Sequence, residues 1–193
     1  MAKQQKHPSS NQLRIIGGLW RGRKLSFPTL EGLRPTPDRV RETLFNWLAP
    51  EISGARCLDL FCGSGALGLE ALSRGAARVD MVDSARAAVQ QLRSNMALLQ
   101  ADTSQAKHDN ALNWLSLNHE PYDIIFLDPP FHSGLAAQCL AALAQQPLLK
   151  PHAWVYLEMG RDEELPVLPS HWHLHREKTA GQVRYQLFKV ASA

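Results

Sequence analysis

Residues 59–68 read Asp-Leu-Phe-Cys-Gly-Ser-Gly-Ala-Leu-Gly, and this stretch decides the fold class of the chain. An apolar run at residues 56–61 leads into the glycine pattern G-x-G-x-x-G, and residues 65–74 then suit a helix. Glycines at this spacing permit a tight strand-to-helix turn and let a ligand approach the backbone closely. The stretch therefore predicts a ligand-binding loop at the carboxyl end of a buried strand.

Strand-like and helix-like segments alternate on the carboxyl side of this loop. Such alternation predicts an α/β fold with a mostly parallel sheet and helices on both of its faces. The chain then ends in two strands around the turn at residues 179–181, an antiparallel hairpin in which Trp172 and Leu174 are expected to face the core. The predicted strands are residues 56–61, 78–83, 104–108, 122–128 and 153–158, and the predicted helices are residues 65–74, 85–99, 111–117 and 134–145.

The composition is that of a globular protein, with 193 residues of which 45% are hydrophobic and 20% are charged. No apolar run approaches the ~18 residues of a membrane-spanning helix, and the first dozen residues lack the apolar centre of a secretory signal. Cys57, Cys62 and Cys139 are odd in number and fit no metal-ligand spacing, so we expect reduced thiols and no metal. The expectation is a cytoplasmic protein, monomeric by default, that binds no membrane.

Charge is divided unequally along the chain. Residues 1–47 carry nine Lys and Arg against three acids, a balance of +6, whereas residues 48–193 carry twelve against fifteen, a balance of −3. This asymmetry predicts a polyanion-binding arm attached to a body with a different task.

The basic arm is expected to be a hairpin followed by a helix. Strand-like runs at residues 13–16 and 23–27 flank glycines, and an amphipathic helix follows with Thr36 or Asp38 as its cap. Cations interleaved with an aromatic ring suit phosphate contacts and base stacking. The residues predicted to make these contacts are Arg14, Trp20, Arg21, Arg23, Lys24, Arg34, Arg39 and Arg41.

Two further acids stand where predicted strands end. Asp83 follows Asp59 by 24 residues, close to the interval of about 20 residues at which a carboxylate binds ribose hydroxyls. Asp80 lies inside the same strand and is less well placed. Asp128 begins the tetrapeptide at residues 128–131, Asp-Pro-Pro-Phe, directly after the predicted strand at residues 122–128.

This tetrapeptide suits a planar ring that bears an amino group. Two prolines stiffen the loop, so the Asp128 carboxylate and the Pro129 carbonyl become adjacent acceptors for the amine hydrogens. Phe131 offers a face on which the ring stacks, a contact worth about 1–3 kcal/mol for a nucleobase.

These motifs, in this order, resemble those of class I S-adenosylmethionine-dependent methyltransferases, among which D/N-P-P-F/Y marks enzymes that methylate planar nitrogen. The likeness to the RsmD family is more specific and covers residues 12–189. Members of that family methylate the N2 atom of guanine 966 in bacterial 16S ribosomal RNA. The likeness is carried by RIIGGLWRGRKL at residues 14–25, LRPTPDRVRETLFNWL at 33–48, LDLFCGSGALGLEALSRGA at 58–76 and LHREKTAGQVRYQLF at 174–188.

The resemblance implies a Rossmann-like sheet of seven mostly parallel strands with an antiparallel last strand, preceded by an amino-terminal β-hairpin. The implied division is a flexible tail at residues 1–11, a basic hairpin and helix extension at 12–50, and a methyltransferase domain at 51–193. Partners implied are 16S rRNA or a small-subunit assembly particle, whose folded RNA would supply specificity that so short a chain cannot read from sequence.

The resemblance also assigns site residues. The cofactor, S-adenosylmethionine, would meet Asp59, Gly63 and Gly65 at its methionine end, Asp83 at the ribose, and Asn110 and Ala111 at the adenine, with Asp109 as the alternative to Asn110. Phe61 and Ser64 are also expected to bind it. A flipped guanine would meet the catalytic loop, Asp128, Pro129, Pro130 and Phe131. The surplus proton of the amine would pass either to Asp128 or to water.

Three other functions compete with this interpretation. A nicotinamide-dependent oxidoreductase would explain the glycine loop and Asp83 but not the tetrapeptide at residues 128–131. A DNA adenine or protein glutamine methyltransferase shares that tetrapeptide, yet the former usually carries a recognition domain for which this chain has no room. A ribosome assembly factor without activity would not need acids at all three strand ends.

Overall fold

The computed structural model describes residues 11–30, 36–117 and 119–191. Within them lie a two-stranded sheet and a seven-stranded sheet with helices on both faces, as expected. The strands are β1 (Asn11–Arg14), β2 (Lys24–Phe27), β3 (Arg56–Asp59), β4 (Arg78–Asp83), β5 (Gln105–His108), β6 (Tyr122–Leu127), β7 (Leu149–Gly160), β8 (Trp172–Ala180) and β9 (Val183–Val190). The helices are α1 (Asp38–Trp47), α2 (Ala66–Ser73), α3 (Arg86–Leu99), α4 (Ala111–Leu115) and α5 (Leu135–Gln145).

The large sheet has the strand order β5-β4-β3-β6-β7-β9-β8. Strands β3 to β7 run parallel, and β9 runs antiparallel between β7 and β8. The predicted reversed last strand is thus confirmed. Because β3 lies between β4 and β6, the strand order reverses there, and ligands of doubly wound sheets bind at the carboxyl edge of such a switch point.

Alternating side chains of the central strands fill two hydrophobic clusters, one on each face of the sheet. Cys57 and Phe126 belong to the cluster beneath α2 and α3, whereas Leu58 and Leu127 belong to the cluster beneath α4 and α5. Strands covered on both faces are apolar along their whole length, which is why β6 is the clearest strand in the sequence.

The amino-terminal extension packs into the first of these clusters. Strands β1 and β2 pair antiparallel, with Leu13 opposite Leu25, and both side chains are buried. Asn11 already belongs to β1, so the predicted tail is one residue too long at that end. Residues 1–10, the rest of that tail, and Arg34 lie outside the described residues.

The start of α1 differs from its prediction. Pro37 occupies the position before the helix, and neither Thr36 nor Asp38 caps a backbone N–H there. Asp38 instead pairs with Arg41 at 2.6 Å and with Arg14 at 3.0 Å, and the Thr36 hydroxyl contacts Asp128.

The closing hairpin contains one further difference. Trp172 is buried as predicted, but Leu174 is 52% exposed. Leu174 pairs with the buried Phe188 and lies on the same face as Trp172, but β8 is the edge strand of the sheet, so fewer neighbouring elements cover this part of the face.

Candidate cofactor and substrate site

A cavity of about 740 Å³ opens at the carboxyl ends of β3, β4 and β6. Parallel strands end at a common edge, so residues that follow three different strands meet there. Nearly all residues predicted to bind cofactor or guanine line this cavity, namely Asp59, Phe61, Gly63, Ser64, Asp83, Asn110, Ala111, Asp128, Pro129, Pro130 and Phe131.

Gly65 is the exception, and its contact with a ligand stays a prediction. It does not line the cavity but precedes α2 with φ at 82°, and a Cβ there would lie 2.6 Å from the Leu92 side chain. Gly65 therefore makes the turn, and Gly68 lets α2 approach β4, since its Cβ would lie 2.5 Å from the Met81 sulfur.

Asp59 is a buried acid with one unpaired oxygen. Its Oδ2 accepts a hydrogen bond from the Gly68 N–H at 2.9 Å, whereas Oδ1 has no hydrogen-bond partner among the residues that the structure describes. Burial, together with the charges of Asp128 and Asp83, raises the pKa of Asp59 to about 8. A buried acceptor without a donor is costly, so a ligand that brings a cationic donor into the cavity would be stabilised here.

Asp83 is fixed by the backbone on both sides. Its Oδ2 accepts from the Gly63 N–H at 2.8 Å and its Oδ1 from the Ala85 N–H at 2.7 Å. Each oxygen keeps a second lone pair, and the carboxylate lines the cavity. This arrangement can accept from two neighbouring hydroxyls. Its competitor Asp80 is buried and paired with Arg56 and Arg78 instead.

The two candidates for the adenine contact, Asn110 and Asp109, both lie in the loop before α4 but differ in whether they line the cavity. Asn110 caps α4 by accepting from the Leu112 N–H at 2.9 Å, and with Ala111 it lines the cavity. Asp109 does not line it; its Oδ1 accepts from the Asn110 N–H and from Asn113, both at 2.8 Å. The geometry favours Asn110.

Asp128 stands at the end of β6 opposite the amino-terminal extension. The Thr36 hydroxyl donates to its Oδ2 at 3.4 Å. Burial raises the pKa of Asp128 to about 6 although this hydroxyl lowers it. Pro129 is buried, Pro130 is exposed, and Phe131 is 38% exposed while lining the cavity, so its ring is accessible to a ligand.

Thr36 and Glu158 are among the cavity residues that the sequence interpretation missed. Glu158 is 3% exposed, and its Oε1 accepts from the Tyr156 hydroxyl at 2.7 Å. Burial and the charge of Asp128 raise the pKa of Glu158. It is the last residue of the predicted strand at 153–158, so the rule that singled out acids at strand ends could have found it.

Arg41 does not face RNA, contrary to the prediction. It is 1% exposed, and its guanidinium donates to Glu70, Asp38 and the carbonyls of Thr36 and Arg14. Arg41 precedes Phe45 and Leu48 by four and seven positions, the spacing of one helix face. It therefore falls on the apolar stripe of α1, where a charge must be paired.

The rest of the basic arm is mostly accessible. Trp20 is half-buried and packs on the hydrophobic cluster, so its ring is less available for stacking than expected. Arg14 is exposed but paired with Asp38. The remaining exposed cations of the described arm are Arg21, Arg23, Lys24 and Arg39.

A search of the described ranges for three or more metal-ligating side chains in one place finds no such group. The described helices include none that is long and apolar enough to cross a membrane.

Comparison with known proteins places the chain in a family. A family model described as "Conserved hypothetical protein 95" matches residues 13–189. "Ribosomal RNA small subunit methyltransferase D" of Escherichia coli K12 is 51% identical over 187 residues, 97% of this chain and 94% of that protein. The chain belongs to the RsmD family. The family resemblance seen in the sequence is thereby confirmed.

Further similar proteins are consistent with membership in this family. The Haemophilus influenzae protein of the same name is 45% identical over 193 residues, which span 98% of this chain and the whole of that protein. A solved Escherichia coli structure, "Putative methyltransferase yhhF", superposes with a TM-score of 0.88 at 49% identity, covering 94% of this chain and 99% of that one. The class I methyltransferase fold expected of the family is confirmed.

Proposed function

We propose that this protein transfers the methyl group of S-adenosylmethionine to the exocyclic N2 atom of a guanine in 16S rRNA, the position equivalent to guanine 966. The observation that carries the proposal is one cavity in which Asp128-Pro129-Pro130-Phe131 lies beside Asp59 and Asp83. The tetrapeptide at residues 128–131 suits an aromatic ring that bears an amine. Asp59 suits the ammonium group of an amino acid, and Asp83 suits the hydroxyls of a ribose. The names of the family members support rRNA as substrate class.

The cavity residues fit S-adenosylmethionine. The unpaired Oδ1 of Asp59 would accept from the ammonium of the methionine moiety, since a buried acid with a raised pKa gains most from a cation. Asp83 would accept from both ribose hydroxyls, and Asn110 and Ala111 would flank the adenine. When bound, the sulfonium supplies an activated methyl group, so the protein has mainly to position the acceptor.

The catalytic loop would position the guanine amine. Its two hydrogens would be donated to the Asp128 carboxylate and the Pro129 carbonyl, which favours a pyramidal nitrogen as the C–N bond forms. Phe131 would hold the ring by stacking, worth about 1–3 kcal/mol. Because the pKa of Asp128 is about 6, its carboxylate is ionised at neutral pH and can accept the surplus proton.

The exposed cations of the arm would bind RNA phosphates. Arg14, Arg21, Arg23, Lys24 and Arg39 supply the charge, and the target base must leave its stack to reach Asp128, at a cost of a few kcal/mol. A small-subunit assembly particle that presents an unpaired guanine lowers this cost. We therefore propose such a particle, bound by a monomer of this protein, as the substrate.

The function is tested by methyl transfer from labelled S-adenosylmethionine to small subunits isolated from cells that lack this enzyme. We expect label on guanine N2 with the wild type, none with Asp128→Ala, and wild-type labelling with Asp102→Ala, an exposed acid in the turn before β5. Binding to subunits without labelling would instead support an inactive assembly factor, and equal rates on naked rRNA would contradict a particle substrate.

A further inference from the structure

Thr36 joins the amino-terminal extension to the active site. Its side chain is buried, and its hydroxyl donates to Asp128 Oδ2 at 3.4 Å. Its carbonyl accepts from Arg41 Nε at 3.1 Å. Thr36 is therefore held from the side of α1 while it contacts the residue that would receive the guanine amine.

The hydrogen bonds that hold Thr36 continue to the hairpin. Arg41 donates to the buried Glu70 at 3.4 Å, and the two Glu70 oxygens accept from the Ile16 and Gly17 N–H groups, both at 2.8 Å. A continuous series of polar contacts thus runs from the basic hairpin through α2 and α1 to Asp128. Buried polar groups satisfied in this way hold one geometry.

Asp128 lies close to three other titratable groups. Asp59 lies on β3, and Glu158 and Tyr156 lie on β7, each close enough for the Asp128 charge to raise its pKa. Within the described residues no ion pair reaches Asp128, and Thr36 is its one side-chain hydrogen-bond donor. A donor to the carboxylate favours its charged form, whereas burial and nearby acids favour the neutral one.

Glu158 completes this arrangement. Its pKa is raised by burial and by the Asp128 charge, and the Thr36 hydroxyl partly offsets that rise. Two acids that close do not ionise together readily. Glu158 is the more deeply buried of the two and Asp128 accepts directly from the Thr36 hydroxyl, so Asp128 ionises first.

We propose that Thr36 is a positioning residue for Asp128: its hydroxyl orients Asp128 and keeps it ionised as the acceptor for the guanine amine, so that the RNA-binding extension completes the active site. The inference rests on the proposed function. In the reaction, the guanine nitrogen forms a bond to the methyl carbon as the carbon–sulfur bond breaks. The sulfonium becomes a thioether, and one N–H proton leaves to the ionised Asp128.

The test compares Thr36→Val, which removes the hydroxyl at nearly constant volume, with Thr36→Ser, which keeps it. We expect Thr36→Val to lower kcat about 10- to 100-fold, the effect of losing a hydrogen bond to a charged group. We also expect the acid limb of its kcat–pH profile to move upward from about 6, and Thr36→Ser to restore both quantities. Thr43→Val is the matched control, because the Thr43 hydroxyl bonds to the Arg39 carbonyl on the exposed side of α1.

A readout independent of turnover separates this inference from the proposed function. Carbon-13 NMR titration of the Asp128 carboxyl should give a higher pKa in Thr36→Val than in wild type and Thr36→Ser, whatever the methyl acceptor is. Failure of the wild type to label guanine N2 overturns the function alone. An unshifted Asp128 pKa, or a Thr36→Ser variant as defective as Thr36→Val, overturns the inference. Thr36→Ala replaces Thr36→Val if the latter does not fold.

Discussion

Asp59 and Asp128 lower the free energy of unfolding of the protein as the pH rises. Burial raises the pKa of Asp59 to about 8 and that of Asp128 to about 6, whereas an unfolded aspartate titrates near 4. Between these values the folded chain binds more protons than the unfolded chain, so its stability falls as the pH rises. Active sites commonly keep such destabilising groups because the reaction needs them.

Asp59→Asn should therefore stabilise the free protein at alkaline pH. The amide still accepts from the Gly68 N–H but carries no buried charge, so we expect the free energy of unfolding to rise by about 1–2 kcal/mol near pH 8. The gain should shrink as the pH falls toward 4, because wild-type Asp59 is protonated in both the folded and the unfolded state only below that pH. Urea denaturation across this range measures it.

The same variant should lose cofactor affinity, which calorimetry with S-adenosylmethionine would detect. Asp102→Asn, at an exposed position, is the control and should change neither quantity. A variant less stable than wild type near pH 8 would contradict the argument.

The methylation rate should depend on the ionisation of Asp128. Below about pH 6 the carboxyl is protonated, so we expect kcat to fall about tenfold per pH unit, because only the ionised form accepts the amine proton. Steady-state rates between about pH 5 and 8 measure this limb. Asp128→Asn has no group to titrate there, and its residual rate should lack the limb; a limb that persists would assign it to another acid.

At the scale of elements, one buried carboxylate attaches the extension to the sheet domain. Glu70 on α2 is fully buried and accepts from the Ile16 and Gly17 N–H groups, from Arg41 and from Arg74. The hairpin, α1 and α2 therefore share a polar centre beside a common hydrophobic cluster. A buried carboxylate is tolerated only while its partners remain in place.

Arg41→Met should destabilise the protein strongly. It leaves Glu70 with less compensation, and breaking a buried ion pair from one side costs about 3–5 kcal/mol. Urea denaturation of Arg41→Met, Glu70→Gln and the double variant measures the coupling, and we expect the double variant to lose less than the sum of both. Arg39 is exposed on the same helix, so the free energy of unfolding of Arg39→Met should stay within about 0.5 kcal/mol of the wild-type value. Additive losses would disprove the coupling.

At the scale of the whole molecule, the basic and acidic parts of the chain lie on different surfaces. The hairpin presents Arg21, Arg23 and Lys24, all exposed, while the cavity is lined by acids that would meet cofactor and guanine. Phosphates bound by the hairpin release counterions, so each phosphate that is neutralised adds about 0.7–0.9 to the slope of log affinity against log salt.

Replacing Arg21, Arg23 and Lys24 together by Gln should weaken RNA binding and reduce this salt slope by roughly 2, because three cations fewer neutralise phosphates. S-adenosylmethionine affinity should not change, because none of the three lines the cavity. Filter binding of rRNA over a salt series measures the slope. Replacing Arg176 and Lys178, exposed on the distant edge strand β8, is the control. A slope equal to that of wild type would move the RNA-binding surface elsewhere.

The sheet, the glycine loop and the three acids at strand ends could be predicted from the amino-acid sequence. These features depend on local pattern: short apolar runs make buried strands, glycines permit the turn, and parallel strands bring their carboxyl ends to one edge. Asp59, Asp83 and Asp128 could therefore be grouped from the order of the strands alone.

The pairing of side chains that lie far apart in the sequence became visible in the folded chain. Arg41 can be buried because Glu70, 29 positions later, compensates its charge. The Thr36 hydroxyl donates to Asp128, 92 positions away, instead of capping α1. In each case the decisive partner lies far along the chain, and the free energy of burying or pairing a group depends on that partner rather than on its neighbours in sequence.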